Sequence, residues 1–82
     1  MLLLVPMRTV GGVETVVRVR NISEGGLMAE TSVKFAVGEE IMADLRGVGT
    51  VQGRIVWSKD DKIGVAFVQA IDPKLTRRRI GG

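Results

Sequence analysis

Six β-patterned segments follow one another at intervals of roughly eight to twelve residues, separated by glycine-bearing turns, and no helical period interrupts them. In a chain of 82 residues, long enough for one domain only, such strands can bury their apolar faces only against each other. The pattern therefore specifies an all-β fold, a six-stranded antiparallel barrel occupying residues 1–82 as one domain. Eleven glycines against two prolines favour tight turns over long helices. The expected strands are 2–10, 13–22, 27–31, 40–46, 50–58 and 63–71.

Met1 to Val5 form an apolar run too short for the roughly 7–15-residue core of a signal peptide, with no basic region before it, and are read as leading into the first strand. Pro6 fits an edge or the start of a pairing segment. Gly11-Gly12 reads as a two-residue hairpin turn into residues 13–22, where Val17 and Val19 face one way and Arg18 and Arg20 the other. Residues 32–37 form a connector carrying Lys34 and Phe35, and Gly38 sets a turn. In 40–46, Ile41, Ala43 and Leu45 share one face. In 50–58, Val51, Ile55 and Trp57 share a face, and Gly53 marks a bulge or bend. Lys59-Asp60-Asp61-Lys62 is a polar hairpin loop. Ile63, Val65, Phe67 and Ile71 form the last strand, with Gly64 and Ala66 small enough for another backbone to approach. The expected core is Ile41, Leu45, Val51, Ile55, Val65 and Phe67. Asp72 then caps a helical turn that starts at Pro73 and extends toward Ile80.

Asn21-Ile22-Ser23-Glu24-Gly25-Gly26-Leu27 ends one strand and begins the next while gathering small hydrogen-bonding groups. Asn and Ser side chains bond backbone N–H groups two or three residues on, and two glycines permit positive φ, so the corner can offer main-chain donors to an anion. The simpler alternative is a turn that only connects two strands.

Asn21, Ser23 and Gly26 match the Asp/Asn-x-Ser-x-x-Gly motif of PilZ domains, small bacterial barrels that respond to cyclic di-GMP. Downstream, Val37-Gly38-Glu39-Glu40-Ile41, Gly53-Arg54-Ile55-Val56-Trp57 and Ile63-Gly64-Val65-Ala66-Phe67 resemble the family's later strands in order and spacing. The resemblance covers roughly residues 13 to 71. It implies that Asn21 and Ser23, with the backbone of Gly25 and Gly26, help hold guanine and phosphate, and that Gly26 keeps the backbone clear of the ligand. Asn21 brings no charge and should recognise guanine less strongly than an aspartate.

Ligand-binding members also carry an Arg-x-x-x-Arg segment before the barrel. Here Arg8 is the one arginine before residue 18, and its i+4 neighbour is Gly12, so that pair is not assigned. Either the arginines were lost or the true start lies upstream. Arg18 and Arg20 are candidates to line the site, although a solvated barrel exterior is the simpler reading. Secondary candidates are Arg8, the basic cluster Arg77, Arg78 and Arg79, otherwise a solvated terminus, and Trp57, otherwise a core residue but a stacking platform for a purine if exposed.

The expected function is a PilZ-type binding or adaptor domain in bacterial cyclic di-GMP signalling. It acts through ligand or protein-partner binding, with direct cyclic di-GMP affinity weakened or lost. The absence of histidine and cysteine removes the commonest general base, thiol nucleophiles and the usual metal ligands, so neither catalysis nor a cofactor is expected. A net charge of +3, with arginine outnumbering lysine, leans toward an anionic partner. The alternative is a small basic barrel binding RNA or single-stranded DNA, against which stands one Trp, two Phe and no Tyr for stacking. No membrane partner is expected, the location is cytoplasmic, and an edge strand with exposed Leu2 and Leu4 leaves room for homo-oligomers.

Overall fold

The computed structural model describes residues 3–77. Its strands are β1 (Leu3–Thr9), β2 (Glu14–Ile22), β3 (Gly26–Glu30), β4 (Glu40–Leu45), β5 (Gly49–Lys59) and β6 (Lys62–Phe67), followed by a 3₁₀ turn over Pro73–Arg77. They close into an antiparallel barrel in the order β1-β2-β3-β6-β5-β4. The period of two explains the lining. Val5, Met7, Val17, Val19, Ile41, Ala43, Leu45, Ile55, Ile63 and Val65 are all buried in one cluster, while the residues between them in β1, β2 and β4 face outward. Of the expected core, Ile41, Leu45, Ile55 and Val65 are buried, whereas Val51 and Phe67 are half-buried against the cluster.

Closure corrects the expectation of an edge strand, because β1 pairs with both β2 and β4. Pro6 is tolerated because it pairs with Val16 on one side, while pairing with β4 begins only at Met7, so its missing N–H costs no ladder bond. Leu4 is exposed on the outer face, and Leu2 lies outside the described residues. The first hairpin is also longer than a Gly-Gly turn. Thr9 N–H donates to Val13 O at 2.8 Å, and Thr9 Oγ1 accepts from Val13 N–H at 3.1 Å, leaving Val10, Gly11 and Gly12 as a three-residue loop with Gly12 at φ 100°.

Phe35, read only as part of a connector, is buried with the core. The last strand stops at Phe67 rather than 71. Beyond it, Val68 N–H donates to Gln52 O at 2.9 Å and Ile71 N–H to Glu24 O at 2.9 Å, so the chain peels across the barrel end toward the β2–β3 corner. Asp72 caps the 3₁₀ turn as expected, Oδ1 accepting from Lys74 N–H at 3.0 Å. That turn runs past the β4–β5 turn, where the Leu75 carbonyl occupies the space a Cβ of Gly47 would need.

Gly53 does not mark a bulge. It faces inward opposite Phe67, and a Cβ there would press on Val65 and Ile41. The register shifts instead fall between Val19 and Asn21 against β3, and between Ile55 and Trp57 against β6. Each adds one residue to its strand, which bends and coils the wall and helps it close.

Candidate functional site

The β2–β3 corner is built by its own backbone. Ser23 N–H donates to Gly26 O at 2.8 Å, and the Ser23 hydroxyl donates to the same carbonyl at 3.3 Å. Gly25 O accepts from Phe67 N–H at 2.9 Å, and Glu24 O accepts from Ile71 N–H. The N–H groups of Glu24 and Gly25 have no partner among the described residues and remain as main-chain donors at an exposed tip. Neither Gly25 nor Gly26 adopts positive φ, contrary to expectation. Gly26 is required for another reason: a Cβ there would collide with the Val65 carbonyl of the neighbouring strand. Strand packing by itself therefore demands a glycine at this position.

The bulge in β2 decides what stands beside this corner. Strict alternation after outward Arg20 would turn Asn21 inward, but the extra residue leaves both Arg20 and Asn21 exposed before Ile22 returns to the core. Asn21 pairs with Met28, Met28 with Gly64, and Gly64 with Trp57, so one row crosses four strands on the outer wall. At strand spacings of about 4.8 Å, the row spans about 14 Å from β2 to β5.

Trp57 ends that row and corrects the expectation of an inward indole. The shift after Ile55 places Val56 and Trp57 outside together, and Trp57 is 41% exposed. It lies against Gly64, where a Cβ would overlap Nε1, Cδ1 and Cε2. Gly64 is thus small to admit an aromatic ring rather than another backbone. With one side on the barrel wall, the indole presents the rest to solvent at the far end of the row from Asn21.

The arginines are distributed unevenly. Arg20 Nη1 lies 3.3 Å from Glu30 Oε1. Arg18 is one outward position further from the corner, opposite Glu30. Arg8 lies near the other end of the barrel, between Glu14 and Met42 as cross-strand neighbours, and does not join the corner. Arg54 pairs with Glu40 at 3.8 Å. The backbone of Arg77 belongs to the turn that passes Gly47; its side chain, and Arg78 and Arg79 entirely, lie outside the described residues. A shallow depression at the corner is lined by Asn21, Ile22, Ser23, Gly26, Leu27 and Met28.

The structure thus brings Asn21, Ser23, Gly25 and Gly26 together, sets Arg20 at their flank and carries Trp57 to the same wall. Sequence reasoning missed Met28, the floor of the row, and Glu30, the partner of Arg20. The signal for Glu30 was available in its place at the end of β3, opposite the basic face of β2.

A family model for the PilZ domain matches residues 3–81. The chain belongs to the PilZ domain family. Neither the curated proteins nor the solved structures yielded a match. PilZ domains form a binding and adaptor family of cyclic di-GMP signalling whose members bind that dinucleotide or protein partners. The closed six-stranded barrel agrees with that membership. Among the described residues of this PilZ domain, no helix is long and apolar enough to cross a membrane.

Proposed function

We propose that this PilZ domain is a non-catalytic adaptor of bacterial cyclic di-GMP signalling, that its binding face is the outer wall of β2, β3, β6 and β5, and that the 82-residue chain by itself holds the dinucleotide weakly. The observation that carries the reading is the row Asn21–Met28–Gly64–Trp57, with Arg20 beside Asn21. A cyclic dinucleotide carries two guanines: the edge of one needs an acceptor for its N1–H and N2–H₂, the ring of the other, at the far end of the roughly 14 Å row, needs a flat surface, and the phosphates need donors. The Asn21 amide oxygen, the exposed indole and the Glu24 and Gly25 N–H groups supply one of each.

Among the described residues, no arginine outside an ion pair stands at the corner itself, because Arg20 is tied to Glu30, Arg18 lies one outward position further along β2 and Arg8 is remote. An arginine pair clamping phosphate and guanine would add two charge-assisted contacts of roughly 1.5–3 kcal/mol each. Without about 3–6 kcal/mol, affinity falls by two to four decades, which removes a sub-micromolar response. Signalling then proceeds through a protein partner, or with arginines supplied from outside these 82 residues.

Calorimetry of the 82-residue chain with cyclic di-GMP tests this directly. The expected result is saturable exothermic heat weaker than about 10 μM. Sub-micromolar affinity that survives Arg18→Ala, Arg20→Ala and alanine at Arg77, Arg78 and Arg79 would overturn the weak-binding reading. Salt-dependent gel shifts on random oligonucleotides without dinucleotide heat would replace it with nucleic-acid binding.

A further inference from the structure

Arg20 stands about midway along the β2–β3 ladder between two destinations. In one direction lies Glu30 at the end of β3; in the other lies Gly26 at its start, about 13 Å from Glu30 along the strand. An arginine on this bulge is long enough to lean either way. In the structure it leans toward Glu30, with Nη1 3.3 Å from Oε1, and so directs its charge away from the corner that holds Ser23 and the Glu24 and Gly25 N–H groups. Glu30 is well fixed for this task. Its side chain is only 26% exposed, and its cross-strand neighbours on the two sides are Arg18 and Lys62. The Lys62 ammonium is turned to Asp61 Oδ1 at 3.5 Å.

We infer that Glu30 determines the anion affinity of the corner by parking the Arg20 guanidinium on the far side of the bulge. A phosphate at the corner must recruit Arg20 from this pair, and does so against the remaining carboxylate. The pair is open to solvent on its Arg20 side and individually weak. The switch is therefore easily made, and neutralising Glu30 is sufficient to release it. The inference builds on the functional reading above only in taking the corner as the anion subsite; it does not require that the ligand contain guanine.

The test compares wild type, Glu30→Gln, Arg20→Ala and the double variant, first with inorganic pyrophosphate and then with cyclic di-GMP, by NMR titration at fixed low salt. Glu30→Gln keeps the size of the side chain and removes its charge. The Arg20 Nε–H resonance should move in Glu30→Gln before any ligand is added, reporting release of the guanidinium. Pyrophosphate should then bind about three- to tenfold more tightly than to wild type, with shifts at Glu24, Gly25 and Gly26. That gain should vanish when Arg20 is alanine. Equal pyrophosphate affinity in wild type and Glu30→Gln overturns the inference, as does a gain that persists without Arg20, which would reflect loss of negative charge alone. A pyrophosphate gain with no response to cyclic di-GMP supports the role of Glu30 and rejects the dinucleotide reading, so the two failures are distinguishable.

Discussion

The β1–β4 side of the barrel and the β2–β3–β6–β5 side are built from equally alternating sequence, yet both register shifts fall on the second. Along β1–β2, β1–β4 and β4–β5 the pairing is unbroken, and inward and outward residues alternate as the sequence implies. On the other side, one extra residue in β2 and one in β5 turn Asn21 and Trp57 outward, one at each end of a row floored by Met28 and Gly64. The regular side shows how the chain buries a core. The bulged side shows how it spends local irregularity on collecting polar and aromatic groups on one surface, where bulges are known to re-aim side chains.

The largest expected effect strikes both sides at once. Ile55 is fully buried immediately before the β5 bulge. Ile55→Ala should cost about 2–5 kcal/mol, enough to unfold most of so small a domain, as urea denaturation would show. Retention of a cooperative transition near the wild-type midpoint would mean that the two sides do not share one core.

A smaller perturbation should separate them. Gly64→Ala puts a methyl where the Trp57 indole lies, so the ring must lift from the wall. A loss of about 1–3 kcal/mol and a red-shifted tryptophan emission are expected, with little change in the NMR shifts of Leu4 and Asp44 on the regular side. An unchanged emission spectrum would show that the indole does not rest on Gly64. Least of all should matter the Arg54–Glu40 pair, exposed on the outer wall at 3.8 Å. Glu40→Gln should shift stability by about 0.5 kcal/mol or less in thermal melts. A loss several times larger would mark this ion pair as part of what closes β4 onto β5.

The same contrast explains what could be read in the sequence. Alternation identified β4 and its buried Ile41 and Leu45, and the Asp72-Pro73 cap, because each depends on neighbours a few residues away. The corner was legible too, since Asn21, Ser23 and Gly26 form a local motif. Alternation puts Trp57 on the wrong face because a bulge changes parity without a distinctive residue: the sequence points to Gly53, and the shift lies between Ile55 and Trp57. Phe35 lies in a connector with no period to read, and its burial depends on the core cluster it joins. The sequence extends β6 too far because the bonds from Val68 to Gln52 and from Ile71 to Glu24, which peel the chain away, are long-range. The Arg20–Glu30 pair likewise exists only once β2 and β3 are in register.

The central claim is that the bulged wall is the binding face and that its intrinsic affinity is low. An ¹H–¹⁵N titration of the 82-residue chain with cyclic di-GMP addresses both parts in one measurement. The account predicts fast-exchange shifts confined to Arg20, Asn21, Glu24, Gly25, Met28 and the Trp57 indole N–H, with Leu4, Met42 and Thr50 unmoved. Slow-exchange binding, or shifts centred on β1 and β4, would contradict it.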